Sequence, residues 1–421
     1  MFAAMFKRAF SDKTFLQVSH LVRYSRANKF SQNTPSDQDT VPEKEKTATE
    51  KTNGDVGNNS TEEELKRLLD DAATYCDADD KSWATTPYPA DAPIPAEKEE
   101  TPRPIVDPRE KSVVIFPGQG TIKVGAVKKY LHFPGAKEIF EIANEILGFN
   151  LLKLCLEGPQ NKLNETRYNQ PATVVSSLAA LERMREDRPK VFETCVATAG
   201  YSVGELSALI FSGAISLEDG IRLVAVRGST MQSASDRTPQ GMLSVYCNPQ
   251  AQLSKLLKDA EAWAQDLGVS EPVCRISVFL YTQSKILAGN EEALKYVEKN
   301  AKSMGLSKLQ RLPVSGAFHT PLMKPALKTF HEALNKISLE RPRTAVYSNY
   351  TAHPYENTKR IKTLLLKQII SPVKWEQCMQ KIYTRSEGVG FPRSFDVGSS
   401  GRMKTILNLI NSKAANSCIV V

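Results

Sequence analysis

A serine flanked by glycines is the feature of this sequence that most strongly suggests chemistry. Gly200, Ser202 and Gly204 form a Gly-x-Ser-x-Gly pattern between a β-branched stretch, residues 194–199, and a segment with helical spacing, residues 205–211. A strand, a tight turn and a helix in this order raise a serine hydroxyl above a parallel sheet, where the amides of the helix can stabilise an oxyanion. We therefore interpret Ser202 as a nucleophile. The alternative is a glycine-rich strand–helix junction that serves packing alone.

A nucleophilic serine needs a base, and the chain contains five histidines. His319 is the best placed, because it follows residues 313–318 at a predicted strand-to-helix turn. The other four lie in the N-terminal segment, in loop-like contexts or on an exposed helix face: His20, His132, His353 and His331. A capping or packing role is the alternative for His319.

Cysteine usage and charge exclude several classes of protein. The seven cysteines include no Cys-x-x-Cys pair, which favours a reducing compartment and argues against a disulfide scaffold or a metal site. No run of 18 apolar residues is present, so we expect no membrane span. Residues 111–421 carry a net charge of +14, against +8 for the whole chain, which favours an acidic partner. Zinc-finger, ribonucleoprotein and basic-zipper patterns are missing, so we do not expect nucleic acid to be that partner.

The first 110 residues differ in composition from the rest. Residues 1–30 hold six basic residues and one acid among serine, alanine and phenylalanine, which is typical of a mitochondrial targeting segment; a disordered basic arm is the alternative. Residues 31–110 hold 20 acids and 9 bases and are predicted to be an acidic low-complexity linker. One short helix is predicted there at residues 61–73, opened by a capping box at Ser60 or Thr61.

The remaining pattern predicts an α/β fold with a parallel sheet, formed by residues 111–238 and 315–415. The predicted elements are a buried strand at 112–116, helices at about 137–147, 172–186 and 217–234, and later strands near 347–349 and 394–397. Between the two parts, residues 239–314 follow a β-α-β-β-α-β order, which predicts an inserted ferredoxin-like subdomain.

Six motifs occur in one order along residues 111–410 and carry a family resemblance. They are Phe116-Pro117-Gly118-Gln119-Gly120, Asn169-Gln170-Pro171-Ala172, the serine motif, Val226-Arg227-Gly228, residues 312–323 and Ser371-Pro372-Val373-Lys374-Trp375. Together they resemble the malonyl-CoA:acyl carrier protein transacylases, and most closely the mitochondrial type. The resemblance implies an α/β-hydrolase-like core with an inserted ferredoxin-like subdomain.

The resemblance also implies a catalytic mechanism. Ser202 is expected to attack the malonyl thioester while His319 accepts its proton. The second imidazole nitrogen is expected to be oriented by the backbone carbonyl of Gln368, so that no triad carboxylate is needed. Backbone amides of Gln119 and Val203 are expected to form the oxyanion hole.

Two further positions are expected to select the substrate. The guanidinium of Arg227, 25 positions after the serine, is expected to bind the free malonyl carboxylate; an exposed arginine on an amphipathic helix is the alternative. The ring of Phe318 is expected to exclude a methyl branch at the acyl α-carbon, unless it only packs in the core. The chain departs from the usual family pattern at Tyr201, where a histidine is common.

We therefore expect a monomeric enzyme of the mitochondrial matrix that needs no cofactor. Its expected partners are malonyl-CoA and an acidic acyl carrier protein, in mitochondrial type II fatty acid synthesis. Candidate docking charges are Lys302, Lys308, Arg311, Lys324 and Lys328. A serine thioesterase or esterase, and a catalytically silent binding subunit, are the competing hypotheses.

Overall fold

The computed structural model describes residues 107–421. The predicted targeting segment at residues 1–30 and the helix predicted at 61–73 lie outside the described residues. So does the linker up to residue 106.

The first part of the core alternates strands and helices. Strand β1 is followed by five helices, strand β2 and two further helices. Their bounds are β1 Ser112–Phe116, α1 Pro134–Leu147, α2 Leu151–Glu157, α3 Gln160–Asn164, α4 Thr166–Asp187, α5 Lys190–Thr194, β2 Cys195–Gly200, α6 Gly204–Phe211 and α7 Leu217–Ser235. Ser216 caps α7 through its hydroxyl, which accepts a hydrogen bond from the amide of Asp219.

The predicted start of α4 was wrong. The sequence favoured a start behind Pro171, but the helix begins at Thr166 and contains this proline. Proline is disfavoured beyond the first turn of a helix because it lacks an amide donor. Here packing outweighs that local cost, since α4 is buried along most of its length and packs against α7. The early start places Asn169 and Gln170 on the helix.

The inserted subdomain has the predicted β-α-β-β-α-β order. Its elements are β3 Gln240–Cys247, α8 Leu253–Asp266, β4 Cys274–Tyr281, β5 Ser284–Asn290, α9 Glu291–Asn300 and β6 Leu306–Arg311. The four strands are antiparallel in the order β6-β3-β5-β4, which is the ferredoxin-like arrangement. This part of the chain has a hydrophobic cluster of its own.

The chain then returns to the core. Its last elements are α10 Leu327–Asn335, β7 Ala345–Tyr347, α11 Thr358–Ile370, β8 Val373–Lys374, α12 Trp375–Tyr383, β9 Arg393–Asp396, α13 Arg402–Ile410, α14 Ser412–Asn416 and β10 Cys418–Val420. Three short 3-10 helices complete the described part, at Pro108–Glu110, Ala126–Tyr130 and Pro321–Ala326.

The main sheet is parallel throughout, with the strand order β10-β9-β1-β2-β7. All five residues of the central strand β1 are buried, as its continuous apolar sequence predicts. Strand β10 was not predicted. The two-residue strand β8 pairs with β4 of the subdomain and makes that second sheet mixed. The predicted α/β class, with a parallel sheet and an inserted subdomain, is confirmed.

Candidate active site

The glycine-flanked serine lies on a sharp turn between β2 and α6. Ser202 has φ = 53°, in the left-handed region, and its amide donates a hydrogen bond of 2.7 Å to Asn349 Oδ1. Glycine is required at both flanking positions, because neighbouring backbone atoms lie too close to leave room for a side chain. A Cβ atom at Gly200 would lie 1.8 Å from the carbonyl oxygen of Gly204, and one at Gly204 would lie 2.4 Å from that of Pro117. This is the geometry of a nucleophile elbow.

His319 contacts the serine directly. Its Nε2 lies 2.7 Å from Ser202 Oγ, and its Nδ1 lies 2.6 Å from the backbone carbonyl oxygen of Gln368. A carbonyl can only accept, so Nδ1 carries the proton and Nε2 is free to accept the serine hydroxyl. Burial, and then the charge of Arg227, lower the pKa of His319 to about 3. The imidazole is therefore neutral at physiological pH.

Arg227 is a buried cation beside the serine. Only 2% of its surface is exposed. Its Nη1 donates to Gln170 Oε1 at 2.7 Å, and its Nη2 donates to Gln368 Oε1 at 2.9 Å and to Ser202 Oγ at 3.3 Å. All three acceptors are neutral, and no carboxylate of residues 107–421 contacts the guanidinium. Burial lowers the pKa of Arg227 to about 10, with the charge of Glu205 opposing, so it stays protonated.

A buried carboxylate completes this network and was missed in the sequence. Glu205 is fully buried in the first turn of α6. Its Oε1 accepts a short hydrogen bond from the Tyr355 hydroxyl, and its Oε2 accepts from Gln368 Nε2 at 2.7 Å and from the Asn349 amide at 3.1 Å. Burial raises the pKa of Glu205 to about 7. An acid in a first helical turn usually indicates only a helix-dipole preference, so its position in the sequence does not point to a role in the site.

The loop after β1 lies directly against the elbow. A Cβ atom at Gly118 would meet Tyr201 Cδ1 at 2.3 Å, and the amide of Gly120 donates to Asn169 Oδ1 at 2.9 Å. Between these anchors, the backbone amide of Gln119 donates no hydrogen bond to any described residue. The same holds for the amide of Val203, the residue at the N-terminus of α6. Two amide donors without partners therefore lie on the two segments that meet at the serine.

Two aromatic residues flank the catalytic candidates in sequence. Phe318 is buried in the core cluster, and its carbonyl accepts a hydrogen bond of 2.8 Å from Ser277 Oγ. Tyr201 packs edge-on against Trp375, with ring centroids 5.5 Å apart. The ring that replaces the usual histidine is therefore held by an aromatic contact.

The structure brings together Ser202, His319, Gln368 and Arg227, which are far apart in the sequence. A family model described as acyl transferase domain matches residues 113–392. This chain belongs to the acyl transferase family.

Two curated relatives extend this assignment. The chain is 48% identical over 319 residues to the probable mitochondrial malonyl-CoA-acyl carrier protein transacylase of Drosophila melanogaster, covering 76% of this chain and 84% of the relative. It is 42% identical over 310 residues to the human mitochondrial malonyl-CoA-acyl carrier protein transacylase, covering 74% and 80%.

Solved structures of acyl transferase family members share the fold. The malonyl CoA-acyl carrier protein transacylase of Coxiella burnetii superposes with a TM-score of 0.66 at 26% identity, covering 75% of this chain and 95% of that one. A malonyl-transacylase in complex with a type II polyketide acyl-carrier protein superposes with a TM-score of 0.63 at 26% identity, covering 74% and 94%.

Residues 107–421 contain neither a candidate membrane span nor a candidate metal site. No helix there has both the length and the apolar character needed to span a bilayer. No group of three or more histidine, cysteine or acidic side chains in that part of the chain could hold a metal ion.

Proposed function

We propose that this acyl transferase moves the malonyl group from malonyl-CoA to the phosphopantetheine thiol of an acyl carrier protein, in mitochondrial type II fatty acid synthesis. The observation that carries the proposal is Arg227, a buried guanidinium 3.3 Å from Ser202 Oγ that contacts only neutral acceptors. A malonyl thioester differs from an acetyl thioester by a free carboxylate. A guanidinium beside the nucleophile supplies the charge and the paired donors that such a group needs.

The first half-reaction loads the serine. His319 Nε2 takes the hydroxyl proton as Ser202 Oγ attacks the thioester carbonyl. The negative charge that forms on the carbonyl oxygen is stabilised by the free amides of Gln119 and Val203, each worth about 3 kcal/mol in comparable oxyanion holes. The C–S bond then breaks, and CoA leaves as a thiol with the proton from His319. Malonyl-Ser202 remains.

The second half-reaction is the reverse with another thiol. The phosphopantetheine thiol of the carrier protein gives its proton to His319 Nε2 and attacks the ester carbonyl of malonyl-Ser202. The collapse of the tetrahedral intermediate returns the proton to Ser202 and releases the malonyl thioester of the carrier protein. In both halves the Gln368 carbonyl keeps the imidazole in the required tautomer. The proposed chemistry uses no cofactor of the enzyme, because the acyl group arrives as an activated thioester and the carrier protein supplies the accepting thiol.

Selection among carboxylated acyl groups is assigned to Phe318. Its ring is buried, and it directly precedes the proposed base in the sequence. A rigid ring there leaves no room for a methyl branch on the α-carbon, which favours malonyl over methylmalonyl.

The carrier protein is assigned to exposed lysines of the inserted subdomain and of the segment that follows His319. Lys302, Lys308, Lys324 and Lys328 are exposed and form no ion pair with any other described residue. Arg311 differs from the other candidate docking charges, because it is paired with Glu291 and Glu298 at 3.1 and 2.7 Å. We therefore remove it from the docking set. A net charge of +14 over residues 111–421 suits an acidic carrier protein.

Intact-mass measurement tests the proposed function directly. The full chain is incubated with malonyl-CoA beside its Ser202→Ala variant. We expect one malonyl adduct that requires Ser202 and that disappears when phosphopantetheinylated acyl carrier protein is added. An adduct that clears equally fast in buffer alone would identify a hydrolase. A folded protein that forms no adduct would be a binding subunit.

A further inference from the structure

The side-chain amide of Gln368 bridges the two buried charges of the site. Its Oε1 accepts from Arg227 Nη2 at 2.9 Å, and its Nε2 donates to Glu205 Oε2 at 2.7 Å and to the carbonyl oxygen of Ser202 at 2.9 Å. The reverse orientation of the amide would place its NH2 group against the guanidinium and its oxygen against the carboxylate. The bridge therefore has a single orientation, fixed by one positive and one negative group.

The two bridged residues carry opposite charges, and each shifts the pKa of the other toward its charged form. Arg227 and Glu205 are 2% and 0% exposed. Within residues 107–421, no carboxylate contacts Arg227 and no cationic side chain contacts Glu205. Two unpaired buried charges would each be very unfavourable, whereas a pair joined through a polarisable amide is tolerated. The charge of Arg227 favours the ionised form of Glu205, against the burial that raises its pKa to about 7.

We propose that Glu205 is the counter-charge of Arg227 and that, by sharing the guanidinium with the incoming acyl carboxylate, it sets how tightly the site holds malonyl groups. This inference rests on the proposed function. Glu205 is a positioning residue, since it contacts neither the serine hydroxyl nor the base. Before the substrate binds, its charge balances Arg227 through the amide. Once a malonyl carboxylate arrives, two anions share one cation, and the acyl group is held less tightly than by an unbalanced arginine.

Glu205→Gln separates charge from hydrogen bonding. The amide oxygen of the new side chain can accept from Gln368 Nε2 and from the Asn349 amide, while its NH2 group faces the oxygen of Tyr355. The bridge to Arg227 is then kept and only the negative charge is lost. A residue that served structure alone would tolerate this change without any effect on substrate choice.

The first measurement compares affinities for two thioesters. Malonyl-CoA and acetyl-CoA are titrated calorimetrically into the full chain in a Ser202→Ala background, which prevents turnover, at roughly pH 8, where Glu205 is ionised. We expect Glu205→Gln to tighten malonyl-CoA binding about tenfold and to leave acetyl-CoA binding within about twofold. An unchanged or lower ratio of the two affinities would overturn the proposal, as would an equal gain for both ligands.

A matched control removes a different buried carboxylate. Asp396 on β9 is fully buried and accepts a hydrogen bond of 3.0 Å from the amide of Lys404, away from the bridge. Asp396→Asn in the same background should leave the ratio of the two affinities unchanged. If it raised the ratio as Glu205→Gln does, the effect would come from the loss of any buried charge, and the specific role of Glu205 would be rejected.

A second measurement needs no substrate and so does not depend on the proposed function. Thermal midpoints are compared for the unaltered chain, Glu205→Gln, Arg227→Met and the double variant. We expect Glu205→Gln to lower the midpoint by roughly 5 °C more when Arg227 is present than when methionine replaces it. Additive shifts would overturn the charge pairing. If Glu205→Gln alone does not fold, rescue by Arg227→Met supports the pairing, and failure of both variants contradicts it.

Failure of the proposed function and failure of the proposed role of Glu205 give different results. An unaltered chain that forms no malonyl-Ser202 refutes the proposed function, whatever the thermal cycle shows. A chain that forms the adduct, with additive midpoints and an unchanged affinity ratio, keeps the function and refutes the role of Glu205.

Discussion

The side-chain nitrogen of Gln368 lies 2.9 Å from the backbone carbonyl oxygen of Ser202, while the backbone carbonyl of the same glutamine holds His319 Nδ1 at 2.6 Å. One residue of α11 therefore contacts both the proposed nucleophile and its proposed base. A shift of α11 would therefore act on Ser202 and on the imidazole at the same time.

Replacing Arg227 should change substrate choice more than general activity. Arg227→Ala removes the only cation that contacts the serine hydroxyl within the described part of the chain. We expect kcat/KM for malonyl transfer to fall at least about 100-fold, the loss of a charge-assisted paired contact, while acetyl transfer is kept or rises. Steady-state transfer assays with both thioesters measure this. Arg222→Ala, on the exposed face of the same helix, is the matched control and should have no effect. An equal loss for both acyl groups would show that Arg227 is structural.

Asn349 should be as important for the elbow as the glycines. Its Oδ1 accepts from the Ser202 amide at 2.7 Å and its Nδ2 donates to the Gly200 carbonyl at 2.8 Å, in a fully buried position. Asn349→Ala removes the hydrogen-bond partners of two backbone groups, one at the half-buried Ser202 and one at the buried Gly200, so we expect a loss of about 2–4 kcal/mol in the free energy of unfolding, measured by urea denaturation. Malonylation of Ser202 should slow as well. Asn335→Ala, at an exposed position, should cost less than about 0.5 kcal/mol.

The buried imidazole should make stability depend on pH. The pKa of His319 is about 3 in the folded chain and 6.5 when unperturbed. The unfolded chain therefore takes up a proton below about pH 6.5 that the folded chain does not, and stability falls as the pH falls through this window. Between about pH 7 and pH 5, we expect the unaltered protein to lose about 2 kcal/mol more than His319→Asn.

Glu205 makes stability depend on pH in the opposite direction, but it does not affect the comparison between the unaltered protein and His319→Asn. Its pKa is raised from 4.5 to about 7, so the folded chain binds the extra proton and gains stability as the pH falls between these values. Both proteins contain Glu205, and its contribution cancels in the difference. Parallel stability curves for the two proteins would show that His319 is exposed or already charged.

Phe318 should control acceptance of a methyl branch. We expect the unaltered enzyme to use malonyl-CoA at least about tenfold better than methylmalonyl-CoA, and Phe318→Ala to narrow that ratio by relieving steric exclusion. Competition between the two thioesters, read by intact mass of the acylated enzyme, gives the ratio. Acetyl-CoA serves as the control substrate, because it lacks the branch. Comparable use of both branched and unbranched thioesters by the unaltered enzyme would remove Phe318 from the specificity set.

Local sequence patterns predicted the elements of this fold but not every boundary. The elbow, the buried strand β1 and the capped start of α7 depend on neighbouring residues, so short-range spacing was sufficient. The start of α4 depends on packing against α7, which local sequence rules do not include. Those rules alone place the boundary at Pro171.

The residues of the site likewise fall into two groups, those that a local sequence motif predicts and those that it does not. Ser202 stands in a recognisable local motif, whereas the partners of Glu205 lie far along the chain, 150 residues away for Tyr355 and 163 for Gln368. Gln170 lay within a noted motif, yet nothing in its neighbourhood indicated that it binds Arg227. Contacts of this kind are made by tertiary packing, so local sequence patterns do not predict them.

The hydrogen bond from His319 to the Gln368 carbonyl also gives a structural reason for the proline at position 372. Gln368 lies in the last turn of α11, where each carbonyl would otherwise attract the amide four residues ahead. That position is Pro372, which has no amide proton, so the carbonyl is permanently open to the imidazole. It also lies at the negative end of the helix dipole. The group that orients the proposed base is thus a carbonyl, which carries a partial negative charge and is not protonated at ordinary pH. At acidic pH a triad carboxylate would be protonated and would lose its charge, whereas the Gln368 carbonyl still accepts the hydrogen bond from the imidazole.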